Sequence, residues 1–257
     1  MIETMPTSLR ILGIFAHPDD AEFTVAGSVA LWASQGAQIT YLVVTNGGAG
    51  SNDPAQDLDE LVRIRHAEQE AACAVLGVRE VLFLDYPDGT LEPTLDLRRA
   101  LTRVIRRLKP DRVICDDPSV MFHGDSYINH PDHRAASEAA LYAVFPSAPT
   151  RPIFPELLGE GLEPHQVKEV YMTSDSAHVG TYVDISSTLE RKIEALRCHK
   201  SQVDPGNGQW LRDWAAEVGQ AVGLPYAEAF RVMKLVHPVA ADADQATTPA
   251  GSAKTQP

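Results

Sequence analysis

Two short segments of the chain bring together histidines and aspartates, side chains that bind divalent metal ions and transfer protons. One is "HPDD", residues 17–20, and the other is "HPDH", residues 130–133. Adjacent carboxylates beside an imidazole are costly to hold together unless a positive charge lies among them. Histidine and carboxylate ligands suit Zn²⁺ or another divalent transition metal, and three protein ligands with an open position are typical of a catalytic site. His17 and Asp20 could supply two ligands, with a histidine of 130–133 as the third.

The elements that must position these residues follow from the alternation of apolar runs and helical patterns. The pattern predicts strands over residues 10–16, 38–45, 80–86, 111–117, 168–173, 181–185 and 229–236. It predicts helices over residues 21–36, 57–77, 95–109, 131–145, 187–202 and 209–221. Fully apolar strands that alternate with helices indicate a mainly parallel sheet covered on both faces.

The predicted fold class is therefore α/β, a single Rossmann-like doubly wound domain with an irregular C-terminal extension. We expect this domain over residues 1–238 and a disordered polar tail over residues 239–257. Ligands of open α/β sheets bind outside the carboxyl ends of the strands. Because "HPDD" follows the first strand and "HPDH" comes after the fourth, both should lie at the same edge of the sheet.

Composition narrows the classes of partner. The net charge is −13, so the whole chain should repel the phosphates of nucleic acids and anionic membrane surfaces. We also expect no signal peptide and no membrane-spanning segment, since no stretch is long and apolar enough. The three cysteines form neither a CxxC pair nor an evident disulfide framework, which predicts a cytoplasmic protein.

The pair of motifs "AHPDDAE" and "NHPDHR" resembles the PIG-L/LmbE-like family of zinc-dependent N-deacetylases. The resemblance extends from about residue 10 to residue 203 and includes "KIEALRCHKSQ" near its end. It implies that Zn²⁺ is the cofactor and that His17, Asp20 and His133 bind it, although another divalent transition metal would suit the same ligands.

The same resemblance implies roles for the remaining residues of the two motifs. Asp19 would be the general base, and His130 would stabilise the oxyanion or donate a proton. Asp132 looks like the residue that orients a histidine by a hydrogen bond. Attack of a zinc-activated water on an amide then needs a proton for the leaving amine, and either Asp19 or a protonated His130 could supply it.

Three further residues are candidates for contacts with the substrate. Arg65 matches an Arg-x-x-Glu of the family that reaches the sugar, with a solvated helix-face charge as the alternative. Asp88, in "YPDGTL", could bind sugar hydroxyls, although PDG is also an ordinary turn. His199 matches a histidine of the family near the pocket. The loop "NGGAGS" lacks the spacing of phosphate-binding motifs and is expected to line the pocket.

These expectations favour a metal-dependent hydrolase that removes acetyl from a small amino sugar of the N-acetylglucosamine type. One alternative is an amidase acting on another amide, such as a thiol conjugate, and another is a non-catalytic sugar-binding protein. A nucleotide-binding Rossmann protein is disfavoured, because the glycine fingerprint is missing and the sheet edge is acidic. Homo-oligomers are frequent among similar proteins, and the sequence does not decide the number of subunits.

Overall fold

The computed structural model describes residues 9–173, 180–204, 206 and 208–235, so the tail predicted at 239–257 lies outside the described residues. The strands are β1 (Arg10–Phe15), β2 (Gln38–Thr45), β3 (Glu80–Tyr86), β4 (Arg112–Asp116), β5 (Phe122–His123), β6 (Tyr127–Ile128), β7 (Glu169–Thr173), β8 (Thr181–Asp184) and β9 (Ala227–Lys234). The helices are α1 (Asp20–Thr24), α2 (Ala26–Ser34), α3 (Leu58–Leu76), α4 (Leu95–Leu108), α5 (Pro131–Tyr142), α6 (Glu156–Gly159), α7 (Leu189–Leu196) and α8 (Gly208–Gln220).

In the described part of the chain, one large sheet has the order β3-β2-β1-β4-β7-β9-β8. The strands from β3 to β7 in this order run parallel, while β9 is antiparallel to both of its neighbours. This arrangement confirms the predicted α/β class with a mainly parallel central sheet. Strands β5 and β6 form a separate short hairpin that the sequence pattern did not predict.

The first strand is buried on both faces after Arg10, which explains why the residues that follow are apolar. Leu12 and Ile14 belong to a core with α4 and α5, whereas Ile11 and Phe15 belong to a core with α2 and α3. Side chains that alternate along a strand point to opposite faces, so β1 lies between two layers of helices. None of the helices in the described ranges has the length and apolar character needed to cross a bilayer.

Strand β1 also marks the place where ligands are expected to bind. Strand β1 pairs with β2 on one side and with β4 on the other. The order in which the chain adds strands to the sheet therefore reverses direction at β1. A crevice opens at such a switch point outside the carboxyl ends of the strands. The motif "HPDD" follows β1 and the motif "HPDH" comes after β4, so the fold brings both motifs to this crevice.

The helix predicted over 21–36 is divided in two at Val25, whose φ and ψ of −121° and 0° are not helical. The second part begins where the carboxylate of Glu228, on β9, accepts hydrogen bonds from the backbone N–H groups of Gly27 and Ser28. These N–H groups have no partner within the helix, so a carboxylate there stabilises a new helix start.

Two other helices end earlier than predicted. Helix α5 stops at Tyr142 and continues as a π-helical turn, because Phe145 adopts extended backbone angles immediately before Pro146. The ring of a proline disfavours helical geometry in the preceding residue. Helix α7 ends at Leu196, and His199 lies in the turns that follow it.

Candidate metal and catalytic site

Three potential metal-binding side chains converge at the crevice, namely His17, Asp20 and His133. The Nε2 atom of His133 lies 3.2 Å from Nδ1 of His17 and 3.1 Å from Oδ1 of Asp20. The Nδ1 atom of His17 lies 3.6 Å from Oδ2 of Asp20. Donors bound to a tetrahedral ion at about 2.0–2.1 Å lie about 3.3 Å apart, so this arrangement fits a divalent ion.

The local structure explains how the three side chains meet. His17 follows β1, and its backbone N–H donates a 2.8 Å hydrogen bond to Oδ2 of Asp20, the first residue of α1. His133 lies in the first turn of α5, which begins at Pro131. Proline suits this position because the first N–H groups of a helix have no intrahelical partner. Rigid elements on both sides of the crevice therefore hold the candidate ligands.

Outer oxygen atoms in contact with the two histidines direct their lone pairs towards one point. The Nε2 atom of His17 lies 3.0 Å from Oδ1 of Asp88, and the Nδ1 atom of His133 lies 3.1 Å from Oδ1 of Asn129. If each histidine donates a proton to its outer oxygen, its inner nitrogen is unprotonated. Two lone pairs and the Asp20 carboxylate then face each other, an arrangement that a cation stabilises.

The electrostatic field at this point strongly favours positive charge. Burial alone would lower the pKa of His17, but Asp20, Asp132 and Asp88 outweigh burial and raise it to about 12. Burial would raise the pKa of Asp20, yet His133 and His17 hold it well below its usual range. Protons and metal ions compete for the same ligand atoms, so a bound divalent ion would displace these protons.

Asp19 lines the same cavity and contacts Arg65. Its φ of 99° lies in the left-handed region, where a residue other than glycine is strained by about 1–3 kcal/mol. Its Oδ2 atom accepts a 3.2 Å hydrogen bond from Nη2 of Arg65, while its neighbour Asp20 contacts His133. Burial raises the pKa of Asp19 to about 7, against the opposing effect of the Arg65 charge. A carboxyl group with this pKa can both accept and return a proton near neutral pH.

Arg65, expected as a sugar contact, lines the cavity but directs its guanidinium group towards the protein. Besides Asp19, it donates hydrogen bonds to the backbone oxygens of Gly47 and Pro18, at 2.8 Å and 2.7 Å. The glycine-rich loop allows this position, because a Cβ added at Gly50 would lie 2.7 Å from Nη1 of Arg65. The structure thus places Arg65 as a clamp on Asp19 and on the loop.

His130 is the N-cap of α5, and its ring lines the cavity. Its Nδ1 atom accepts a 3.2 Å hydrogen bond from the backbone N–H of Asp132, which leaves the proton of the neutral ring on Nε2. Burial, with a contribution from His17, lowers the pKa of His130. This environment favours a neutral ring that donates through Nε2.

Asp132, expected to orient a histidine, is fully buried beneath the site. Its carboxylate accepts hydrogen bonds from the backbone N–H groups of Gly89 and Leu91, and its Oδ2 atom lies 3.4 Å from Nε2 of His17. Asp88, expected to bind the sugar, lines the cavity and contacts the same ring nitrogen of His17. Both aspartates are thus arranged around the outer side of His17.

His199, expected as a substrate contact, is fully buried and does not line the cavity, so its position requires a correction. Its Nε2 atom lies 3.2 Å from Oε2 of Glu22, which is also fully buried. The Glu22 carboxylate accepts a hydrogen bond from Gln69, whose side-chain oxygen accepts from the backbone N–H of Asp19. His199 therefore lies behind Asp19 and outside the cavity lining.

Several residues near the site were not selected from the sequence. Asn129 immediately precedes "HPDH" and is four residues before His133, so its position beside the motif was an available signal. Asp116, at the end of β4, lines the cavity and accepts a 2.6 Å hydrogen bond from Thr173. Burial raises the pKa of Asp116. Glu22 is the last residue of the motif "AHPDDAE", which was an available signal, whereas Gln69 carried none beyond its place in a helix.

A cavity of about 1100 Å³ contains the candidate ligands, Asp19 and His130. It extends beyond them towards α8 and β9, where aromatic and aliphatic side chains line it. The loop "NGGAGS" contributes Ala49 and Gly50 to the wall, as its sequence predicted. The space is larger than one amino-sugar ring needs, and a substrate can therefore extend along it.

The chain is similar in sequence to several known proteins. Residues 12–144 match the PIG-L family model, described as GlcNAc-PI de-N-acetylase. A diacetylchitobiose deacetylase of Thermococcus kodakarensis is 31% identical over 86% of this chain and 82% of its own. A 1D-myo-inositol 2-acetamido-2-deoxy-alpha-D-glucopyranoside deacetylase of Saccharopolyspora erythraea is 28% identical over 94% and 92%.

Solved structures show the same fold. An N,N'-diacetylchitobiose deacetylase from Pyrococcus horikoshii superposes with a TM-score of 0.80 and 29% identity, covering 88% of this chain and 84% of that one. A 4-carboxy-2-hydroxymuconate hydratase from Pseudomonas putida has a TM-score of 0.71 and 21% identity, covering 91% and 98%. The second similarity concerns the fold alone.

Proposed function

Since this chain belongs to the PIG-L family of GlcNAc-PI de-N-acetylases, we propose that it is a metal-dependent hydrolase that removes acetyl from an N-acetylglucosamine-type substrate. The observation that carries the proposal is the convergence of His17, Asp20 and His133, with Asp19 and His130 in the same cavity. The relatives named as deacetylases of amino sugars support the substrate class.

His17, Asp20 and His133 would hold the metal ion, and their nitrogen and carboxylate atoms suit Zn²⁺ before other divalent transition metals. When bound, the ion would polarise the amide carbonyl and lower the pKa of water. Asp88 and Asn129 would keep the two histidines in the tautomers that binding requires.

Asp19 would accept the proton of the attacking water and return it to the leaving amine. Its pKa of about 7 suits both transfers, because a carboxylate of ordinary pKa would be a weaker base and would accept the proton of the water less readily. Arg65 fixes the orientation of the carboxylate through the 3.2 Å contact. The sequence left the donor to the amine open, and this environment supports Asp19.

His130 would stabilise the oxyanion by donating a hydrogen bond from Nε2. Its Nδ1 atom is occupied by the backbone N–H of Asp132, so the ring presents a donor whose orientation is set before the substrate binds. A preorganised donor of this kind is worth about 2.7–4 kcal/mol in the transition state. The carboxylate of Asp132 accepts hydrogen bonds from two backbone N–H groups, and Asp132 would hold the rings of His130 and His17 in fixed relative positions.

The unpaired cysteines support the further proposal that the enzyme works in the cytoplasm on a small-molecule amino sugar. An amidase that cleaves a different amide would use the same metal and base, and only the substrate would differ. A non-catalytic sugar-binding protein would need neither Asp19 with a raised pKa nor a prepared donor such as His130.

The test is acetate release from a panel of N-acetylglucosaminides by metal-depleted protein, with and without added Zn²⁺. We expect release only with the metal, and we expect Asp19→Asn to bind Zn²⁺ while releasing acetate at least about 100-fold more slowly. An exposed aspartate elsewhere, Asp53, gives the matched control Asp53→Asn, which should retain activity. Zinc-loaded protein that releases acetate from no member of the panel would contradict the proposal.

A further inference from the structure

The part of the cavity that the proposed mechanism does not use is lined by Phe23, Tyr182, Trp210 and Trp214, which we call the aromatic annex. The rings of Phe23 and Trp210 lie 6.1 Å apart in an edge-to-face arrangement, and those of Trp210 and Trp214 lie 5.4 Å apart. Trp210 is 52% exposed although it lines a cavity. A large exposed apolar surface within a binding cavity indicates a ligand that covers it.

The annex is directly connected to the candidate catalytic residues. Phe23 lies on α1, the short helix that begins at Asp20. Trp210 and Trp214 lie on α8, whose buried residues Leu211 and Ala215 fix the helix against the body of the protein. A substrate held at Asp20 can therefore reach the annex without leaving the cavity.

The tryptophan side of the annex lies outside the segment that matches the family. That segment covers residues 12–144 and contains the candidate metal ligands, whereas α8 begins at Gly208. The family motifs would therefore bind the acetyl-bearing end of the substrate, whereas α8 would determine which chemical groups can bind at the other end.

The charged side chains that line the cavity limit which chemical groups can bind in the annex. Among the described lining residues, each arginine or lysine already has a carboxylate partner: Arg65 contacts Asp19 at 3.2 Å, and Lys192 contacts Glu228 at 2.6 Å. Further carboxylates, including those of Asp117 and Glu217, line the same cavity. An anionic group in the annex would meet repulsion and find no unpaired cation there.

We propose that the substrate carries an uncharged, largely apolar alkyl or aryl group on its amino sugar, and that Phe23, Trp210 and Trp214 bind this group. The inference rests on the proposed function, because it assumes that the acetylated sugar lies at Asp19 and the candidate metal ligands. Flat aromatic faces at the end of an acidic cavity favour apolar contacts over hydrogen-bonded recognition of a second polar group.

Binding is measured by tryptophan fluorescence in zinc-loaded Asp19→Asn protein, in which turnover should be slow. The ligands are N-acetylglucosamine, its octyl glycoside and its malate glycoside. We expect the octyl glycoside to bind at least about tenfold more tightly than the free sugar, the effect of burying roughly two methylene groups. The malate glycoside should gain nothing over the free sugar.

Two tryptophan variants test whether the annex causes the preference for the octyl glycoside. Trp214→Ala and, separately, the more exposed Trp210→Ala should reduce the preference for the octyl glycoside several-fold, in binding and in kcat/KM for acetate release. Tyr142→Ala, which removes a 49% exposed aromatic side chain that does not line the cavity, is the matched control and should keep the preference. Thermal unfolding of each variant verifies that it is folded.

The two readouts separate the inference from the proposed function. Equal binding of free and octyl sugars, tighter binding of the malate glycoside, or an unchanged preference in both tryptophan variants would overturn the inference. Absence of acetate release from every substrate would overturn the proposed function, and the fluorescence titration would still decide whether the annex binds apolar groups.

Discussion

The Nε2 atom of His17 lies 3.0 Å from Oδ1 of Asp88, on the side of the ring opposite to the nitrogen that faces Asp20 and His133. A carboxylate in this position fixes the ring and determines which nitrogen is free to bind an ion. Burial would raise the pKa of Asp88, but His17, the backbone N–H of Ala49 and Arg65 together outweigh burial and lower it. The pair thus keeps the outer side of the site negatively charged.

We therefore predict that Asp88→Asn weakens Zn²⁺ binding about 10–100-fold, the usual effect of removing an outer partner of a metal-binding histidine. Competition with a chromogenic chelator measures the affinity. The surface variant Asp53→Asn removes the same charge at an exposed site and should leave the affinity unchanged. If Asp88 instead contacts only the sugar, KM will rise while zinc affinity stays at its original value.

For His130, we predict that replacement by alanine lowers kcat for acetate release about 100-fold to 1000-fold. Zinc content should be unchanged if the ion is held by His17, Asp20 and His133, and it should fall if the ion is held by the second convergent group of His17, His130 and Asp132. Metal analysis beside steady-state kinetics separates the two effects. Loss of zinc in step with activity would mean that His130 is a ligand.

The contact between Arg65 and the glycine loop gives a steric prediction. A Cβ at Gly50 would lie 2.7 Å from Nη1 of Arg65, so Gly50→Ala should displace the guanidinium that holds Asp19. We expect kcat to fall by about tenfold or more with zinc affinity retained. Gly159→Ala is the matched control, since a Cβ there meets nothing within 4 Å. Equal activity of the two variants would argue against the clamp.

The buried pair of His199 and Glu22 predicts a pH-dependent stability. Burial would lower the pKa of His199, but Glu22, with Asp19 and Glu68 nearby, outweighs burial and raises it. A raised pKa in the folded state means that protonated His199 stabilises the fold below its ordinary pKa of about 6.5. This stabilisation is lost as pH rises through the folded-state pKa.

Replacing Glu22 by glutamine should accordingly lower the free energy of unfolding by about 1–3 kcal/mol at about pH 6. The deficit relative to the unmodified protein should shrink as pH rises through the folded-state pKa of His199. Denaturant unfolding of the metal-free proteins at several pH values measures it. The control is Glu70→Gln, an exposed position on α3. A deficit that stays constant or grows with pH would contradict the assignment.

Sequence patterns predicted the sheet and the two motifs because these depend on local order. The apolar run of β1 and the position of "HPDD" directly behind it are visible without any knowledge of distant residues. The division of the first predicted helix was not visible, since Glu228 caps α2 from a position 201 residues beyond Gly27. The same limit applies to His199, whose burial depends on how α7 packs over α1 and α3.

The two ends of the cavity are encoded in separate parts of the chain. The candidate catalytic residues lie within residues 12–144, whereas the aromatic annex lies largely on α8. During divergence, substitutions on α8 can alter which molecules enter without disturbing the residues that would cleave the amide. Such a gene can acquire a new substrate through a short exchange in the part that encodes α8. The large variety of molecules that proteins of one fold act upon then requires little change in the chemistry itself.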